Sequence, residues 1–254
     1  MRIYCLFATI AFTAAAGGID TPAIGFARAA DGSIQRVAGV SGTFISASTN
    51  HAGIAAAFSD HLGVVKTCTS ILLLNADGST AAESEAPEGG AVLGFDPAGR
   101  SAIAWYPSAR WMAIYRDGQW NRVPFDPAGA VLAVAIKDND RVLAVIRGDQ
   151  LSVVRMRLVD GAIEDVTFLG SSPGPVQLFP DGSLLYPKEG GFLYRAADGI
   201  ERTLDIPAGV VEFMPMSATW LQARTQTGRN LAIRLLPEPR IFELPPPVPV
   251  EAQP

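Results

Sequence analysis

Short runs of apolar residues recur along most of the chain, and polar turns cut nearly every one. Val131–Ile136 and Arg141–Ile146 show the pattern: β-branched and Ala residues stand on either side of Asp138-Asn139-Asp140. Runs of this length, bounded by Gly, Asp, Asn and Pro, predict strands. Gly 25 and Pro 19 are spread throughout. That spacing leaves few uninterrupted stretches of Ala, Glu, Lys and Leu and argues against a long helical bundle.

The turns repeat. Asp-Gly pairs stand at 31–32, 77–78, 117–118, 160–161, 181–182 and 198–199. Asp-Gly between apolar runs predicts a two-residue hairpin with both central residues at positive φ. Five of these pairs, starting at 31, 77, 117, 160 and 198, recur at about forty residues, the spacing of a four-stranded propeller blade. A second series lies between them: Asn50-His51-Ala52-Gly53, Asp96-Pro97-Ala98-Gly99, Asp138-Asn139-Asp140, Asp181-Gly182 and Met216-Ser217. Self-similarity supports the period. Phe26-Ala27-Arg28-Ala29-Ala30-Asp31-Gly32 returns as Leu193-Tyr194-Arg195-Ala196-Ala197-Asp198-Gly199, and Trp105-Tyr106-Pro107 as Leu185-Tyr186-Pro187.

These periods predict an all-β β-propeller with five full four-stranded blades, over residues 43–86, 91–126, 130–169, 175–206 and 209–245. Residues 23–40 add an N-terminal hairpin, expected to match the outer two strands of a blade. The ring is then six-fold with one blade incomplete. A β-sandwich would also show alternating strands and turns, but not the forty-residue echo.

At Leu178-Phe179-Pro180-Asp181-Gly182-Ser183-Leu184-Leu185-Tyr186 the sequence resembles the TolB-like and WD-repeat-like propellers of exported bacterial proteins. In these a Phe-x-Pro-Asp-Gly phrase joins the first two strands of a blade. Gly94-Phe95-Asp96-Pro97-Ala98-Gly99-Arg100 is a degenerate copy. The Gly-His and Trp-Asp signatures of eukaryotic WD repeats are absent. The resemblance implies the fold and a leaning toward binding a protein or ligand, since fold alone carries no activity.

Composition narrows the function. Charged residues make up 18%, under the roughly 25% of an average domain. The net charge of −5 argues against nucleic acid as a partner. Met1–Ala16 has the shape of an export signal: one Arg, an apolar run over Ile3–Phe12, then Ala14-Ala15-Ala16 for cleavage. The expected domains are a signal peptide at 1–16, one propeller at 17–245 and a proline-rich tail at 246–254, with the mature chain periplasmic or secreted. It contains no second apolar stretch long enough for an integral membrane segment. Cleavage would leave Cys68 without a disulfide partner.

Coherent catalytic chemistry is absent from the sequence. With two His and one mature Cys, no metal set of the usual zinc ligands forms, and no cofactor motif is present. Calcium could be assembled only from Asp96, Asp138, Asp140 and Asp181 in the turns, where Asp ordinarily bonds its own backbone. His51 is expected in a first turn and His61 beyond a second strand, on opposite edges of one blade. In a four-stranded meander the second turns share one face, opposite the first and third. There Tyr106, Arg110, Tyr186, Lys188, Glu189, Arg224 and Arg229 are the candidate binding residues, with Trp105 and Trp111 as packing. Pro107 and Pro187 should hold both tyrosines extended and presented. The leading expectation is an exported, non-catalytic module that binds a protein or small envelope ligand. The alternative is a hydrolase or lactonase-like enzyme with carboxylates, and calcium, in its channel.

Overall fold

The structure, a computed structural model, describes residues 22–40, 42–170, 173–188, 191–235 and 238–246. The expected signal peptide, Glu189 and all but the start of the expected tail lie outside these.

All described secondary structure is β. An N-terminal sheet holds β1 (Ala23–Arg28), β2 (Ser33–Val40) and β3 (Thr43–Ala52). The first blade is β4 (Ala55–Phe58), β5 (Leu62–Lys66), β6 (Ser70–Asn75) and β7 (Thr80–Glu85). The second is β8 (Val92–Phe95), β9 (Ala102–Tyr106), β10 (Trp111–Arg116) and β11 (Gln119–Val123). The third is β12 (Ala130–Ile136), β13 (Arg141–Arg147), β14 (Leu151–Arg157) and β15 (Ile163–Gly170). The fourth is β16 (Gln177–Leu178), β17 (Leu184–Lys188), β18 (Gly191–Arg195) and β19 (Glu201–Leu204). The fifth is β20 (Val210–Pro215), β21 (Trp220–Thr225), β22 (Asn230–Arg234) and β23 (Arg240–Glu243). Every sheet is an antiparallel meander in chain order.

Apolar clusters lie between consecutive blades and hold the ring. Phe95 and Tyr106 meet Val64 and Leu73 between the first and second blades, and Leu185 and Phe192 meet Leu221 and Ile233 between the fourth and fifth. One cluster joins Ile24, Phe26 and Val37 of the N-terminal sheet to Phe58 on one side and to Met214 and Ala232 on the other. It closes the circle. Strands near the axis are apolar on both faces, as in β12, whereas outermost strands such as β7 are exposed along most of their length.

The axis is lined by β4, β8, β12, β16 and β20, and β20 runs beside β4. The N-terminal sheet stops short of it. β1 packs against β21 and β4, so β1–β3 stand as the second, third and fourth strands of a blade whose innermost position is empty among the described residues. Phe26 donates its backbone N–H to the Met216 carbonyl at 3.2 Å. The Gln222 carboxamide covers the next stretch of edge, accepting from Arg28 N–H and donating to the Arg28 carbonyl, both at 2.8 Å.

Three expectations change here. Residues 43–52 belong to the N-terminal sheet, so the first blade starts at Ala55 and the hairpin is a three-stranded sheet. Asn50-His51-Ala52 is not a turn but a bulge within β3: Asn50 sits at φ 61° and the register against β2 shifts between Ser33 and Gln35. His61 therefore falls in the first turn of its blade. Second, the Asp31 turn does not share a face with its echo at Asp198. Gly53 N–H bonds the Gly32 carbonyl at 2.9 Å and Ile54 N–H the Lys66 carbonyl at 2.8 Å, which places the Asp31 turn with the second turns. Third, of the described Asp residues in these pairs, only Asp117 has positive φ (53°). The carboxylates of Asp31, Asp77, Asp160, Asp181 and Asp198 instead accept the N–H two residues on, at 2.8–3.1 Å. Only the following Gly is then left-handed. Hydrogen bonds from Ser33 and Ser79 hold the Asp31 and Asp77 carboxyls below the usual range.

Candidate functional site

The sequence-predicted residues do not form one surface. Tyr106 is only 2% exposed, packed 4.5 Å from the Trp111 ring between the first and second blades. Burial pushes its phenol up to about 12. Tyr186 is buried between the third and fourth blades, and burial, followed by the nearby Glu201, raises its phenol too. The expectation that both rings are presented is thus corrected. Extended backbone at the end of a strand aims the ring at the neighbouring blade, and the proline that follows does not turn it outward. Trp105 is buried against Phe125, and Trp111 lies half-buried under Arg122.

The cations on this face are paired within their own blades. Arg110, at φ 51°, meets Asp126 at 2.9 Å, and Lys188 lies 3.7 Å from Glu201. Arg229 forks onto Glu243 with two bonds of 3.0 Å, which raises the guanidinium and lowers the carboxyl. Arg224 reaches Glu212 at 2.7 Å, and Glu212 also takes Arg28. Glu189 lies outside the described residues.

The opposite face carries a cavity of about 470 Å³ over the axis. Its floor is Phe58, Phe95 and Leu178, and Phe179, Tyr194 and Leu235 form apolar walls. First turns build the rim: Ser59–His61, Asp96–Arg100, Phe179–Ser183 and Ser217–Thr219, from the first, second, fourth and fifth blades. Three of these turns, from the first, second and fifth blades, are tied to one another. Ser59 Oγ donates to the Gly99 carbonyl at 2.7 Å, and Ala218 N–H to Asp60 Oδ1 at 3.0 Å. Below, a cavity of about 240 Å³ continues past Ala55, Ala56, Leu93, Ala133 and Val176, sharing Gln177 and Pro215 with the upper one. No residue of β1–β3 lines either cavity.

The rim carboxylates serve the turns. Asp96 Oδ1 accepts Arg100 N–H at 2.7 Å and Ser101 N–H at 2.8 Å, and Asp181 Oδ1 accepts Ser183 N–H and Oγ. Asp138 and Asp140 both pair with Arg141. Among the described residues no group of three His, Cys, Asp or Glu is placed to hold a metal ion. His61 and Arg100 are exposed on adjacent turns of the rim, with no side-chain partner among the described residues. Sequence reasoning missed this site, although both copies of the Phe-x-Pro-Asp-Gly phrase line it: Phe95, Asp96, Pro97 and Gly99, and Phe179, Pro180 and Asp181.

Comparison of the whole structure with solved ones decides the architecture. TolB from Acinetobacter baumannii is similar with a TM-score of 0.56 at 18% identity, covering 83% of this chain and 59% of that one. The fold is a β-propeller. Further similar structures are Hsv2 from Kluyveromyces lactis, at 13% identity over 89% of this chain and 82% of that one (TM-score 0.48), and the Cps50 (Swd1) β-propeller domain from Myceliophteria thermophila, at 13% identity over 72% and 65% (TM-score 0.47). This propeller spans about three fifths of TolB's length. No protein-family model and no curated protein matches the chain.

Proposed function

We propose that this propeller is an exported, non-catalytic binding module, and that it takes apolar groups of a protein or small envelope ligand in the cavity over its axis. The observation that carries the reading is the cavity itself: largely apolar in floor and walls, and framed by turns of which three are bonded to one another. Its size falls within the roughly 300–1,000 Å³ of ligand sites. A rim fixed before binding lowers the ordering cost of complex formation. Export rests on the Met1–Ala16 pattern. The non-catalytic reading rests on the rim carboxylates, which hold turn amides and converge on no reacting position.

Filling the cavity tests the site. Ala98 and Ala218 are exposed on the rim, so Trp at either leaves the core untouched. An apolar fluorescent probe should bind the wild type at one site, and Ala98→Trp with Ala218→Trp should weaken it at least about tenfold at unchanged melting temperature. Equal binding by the double variant removes the cavity as the site. Terminal sequencing of protein recovered from the envelope should begin at Gly17; an intact Met1 on cytoplasmic protein refutes export.

A further inference from the structure

Each sheet presents its last strand as a free edge, the position where a foreign strand can add. Five of these edges carry charge: Glu83 and Glu85 on β7, Arg122 on β11, Glu164 and Asp165 on β15, Glu201 and Arg202 on β19, and Arg240 and Glu243 on β23. β3 differs. Its ten residues, the longest strand in the described structure, contain no Asp, Glu, Lys or Arg. Two large aliphatic side chains stand in solvent here, Val40 of the neighbouring β2 at 61% and Ile45 within β3 at 59% exposure. The far end of β3 leans on the first blade through His51 Nε2 and the Gly78 carbonyl, 3.1 Å apart. Thr43–Ser48 is the free stretch.

We infer that the β3 edge pairs with β3 of a second copy, antiparallel across a two-fold axis. The charge pattern selects this occupant. A two-fold axis sets one strand against itself, so a charge near its centre meets its own copy. β3 brings no charge to that meeting, and its neutral, Ser- and Thr-rich length matches itself. The pairing joins the two N-terminal sheets into one six-stranded sheet and brings Ile45 of one copy beside the other strand. β15 also exposes apolar residues, Val166 and Phe168, but the same pairing would gather Glu164 and Asp165 of both copies along the junction. The edge lies away from the axial cavity, so this inference stands apart from the proposed function.

Edge pairing alone buries less than the roughly 1,200–2,000 Å² of a standard interface, so the dimer should dissociate in the micromolar range. Sedimentation equilibrium of the mature chain, from low micromolar to near-millimolar concentration, should show a monomer–dimer equilibrium. Thr43→Lys with Ile45→Lys should raise the dissociation constant at least about tenfold with the melting temperature kept. Phe168→Lys on β15 should leave it unchanged. If the double variant loses its melting transition, Ser48→Lys alone carries the test. A wild type monomeric throughout, a dimer that survives Lys on β3, or a dimer abolished by Phe168→Lys would each overturn the assignment.

Discussion

The carboxamide of Gln222 does for β1 what another strand would do: it offers an acceptor and a donor in the spacing of a peptide group. It is buried, and its Nε2 also bonds Asn230 Oδ1 at 2.9 Å. Gln222→Leu keeps the volume but leaves Arg28 N–H and C=O unpaired. An abandoned backbone group costs about 1–3 kcal/mol, so calorimetry should show a fall of roughly 5–12 °C for a chain of this size. A second residue-scale effect appears at high pH. Free tyrosine ionises near pH 10, whereas buried Tyr106 resists until about 12. Between those values the unfolded chain has lost a proton that the folded one keeps, so stability falls as pH rises. Tyr106→Phe should flatten that decline in melts across the window, with a residue of it left to Tyr186. Tyr106 also shows what a sequence withholds: its alternation predicted a strand, but not which neighbouring blade would receive the ring.

At the scale of elements, close approach of inner strands decides which glycines are replaceable. A Cβ on Gly94 of β8 would stand 1.9 Å from the Val134 carbonyl oxygen of β12, whereas one on Gly148 meets nothing within 4 Å. Gly94→Ala should cost more than about 3 kcal/mol in denaturant melts, because backbone on both sides must move. Gly148→Ala should stay within about 0.5 kcal/mol. The period near forty residues made the five blades legible, since turns must recur wherever a meander repeats. The first strand boundary was not legible, because Asn50-His51-Ala52-Gly53 has the composition of a turn and acts as a bulge. Lys66 was hidden for a related reason. It is buried, and its ammonium clasps the Thr67 and Cys68 carbonyls of the next turn at 2.7 and 3.0 Å. Periodicity alone makes such a position read as solvent. The cavity went unseen because its residues come from four blades, whereas the Phe-x-Pro-Asp-Gly phrase that marks it was read as a mark of fold.

For the whole molecule, cohesion lies between sheets, so no blade should stand alone. Residues 22–246 contain every contact described for ring closure. That stretch alone should melt in one cooperative transition, as the full chain should. A chain ending at Pro207 lacks β20–β23 and should show no cooperative melt, since Phe26, Val37 and Phe58 lose their cover. Two transitions in the first chain, or a sharp one in the second, would show blades folding independently. The seam also imposes an order of events in time. Arg28 and Gln222, which join across it, stand 194 positions apart, and the sheet synthesised first must wait for the sheet synthesised last. Until the ribosome has released that final sheet the nascent propeller is an open arc, apolar at its leading end. Contacts so distant form slowly. Under the proposal that the chain is exported, threaded from its N-terminus, that delay would keep it passable until its far end arrives.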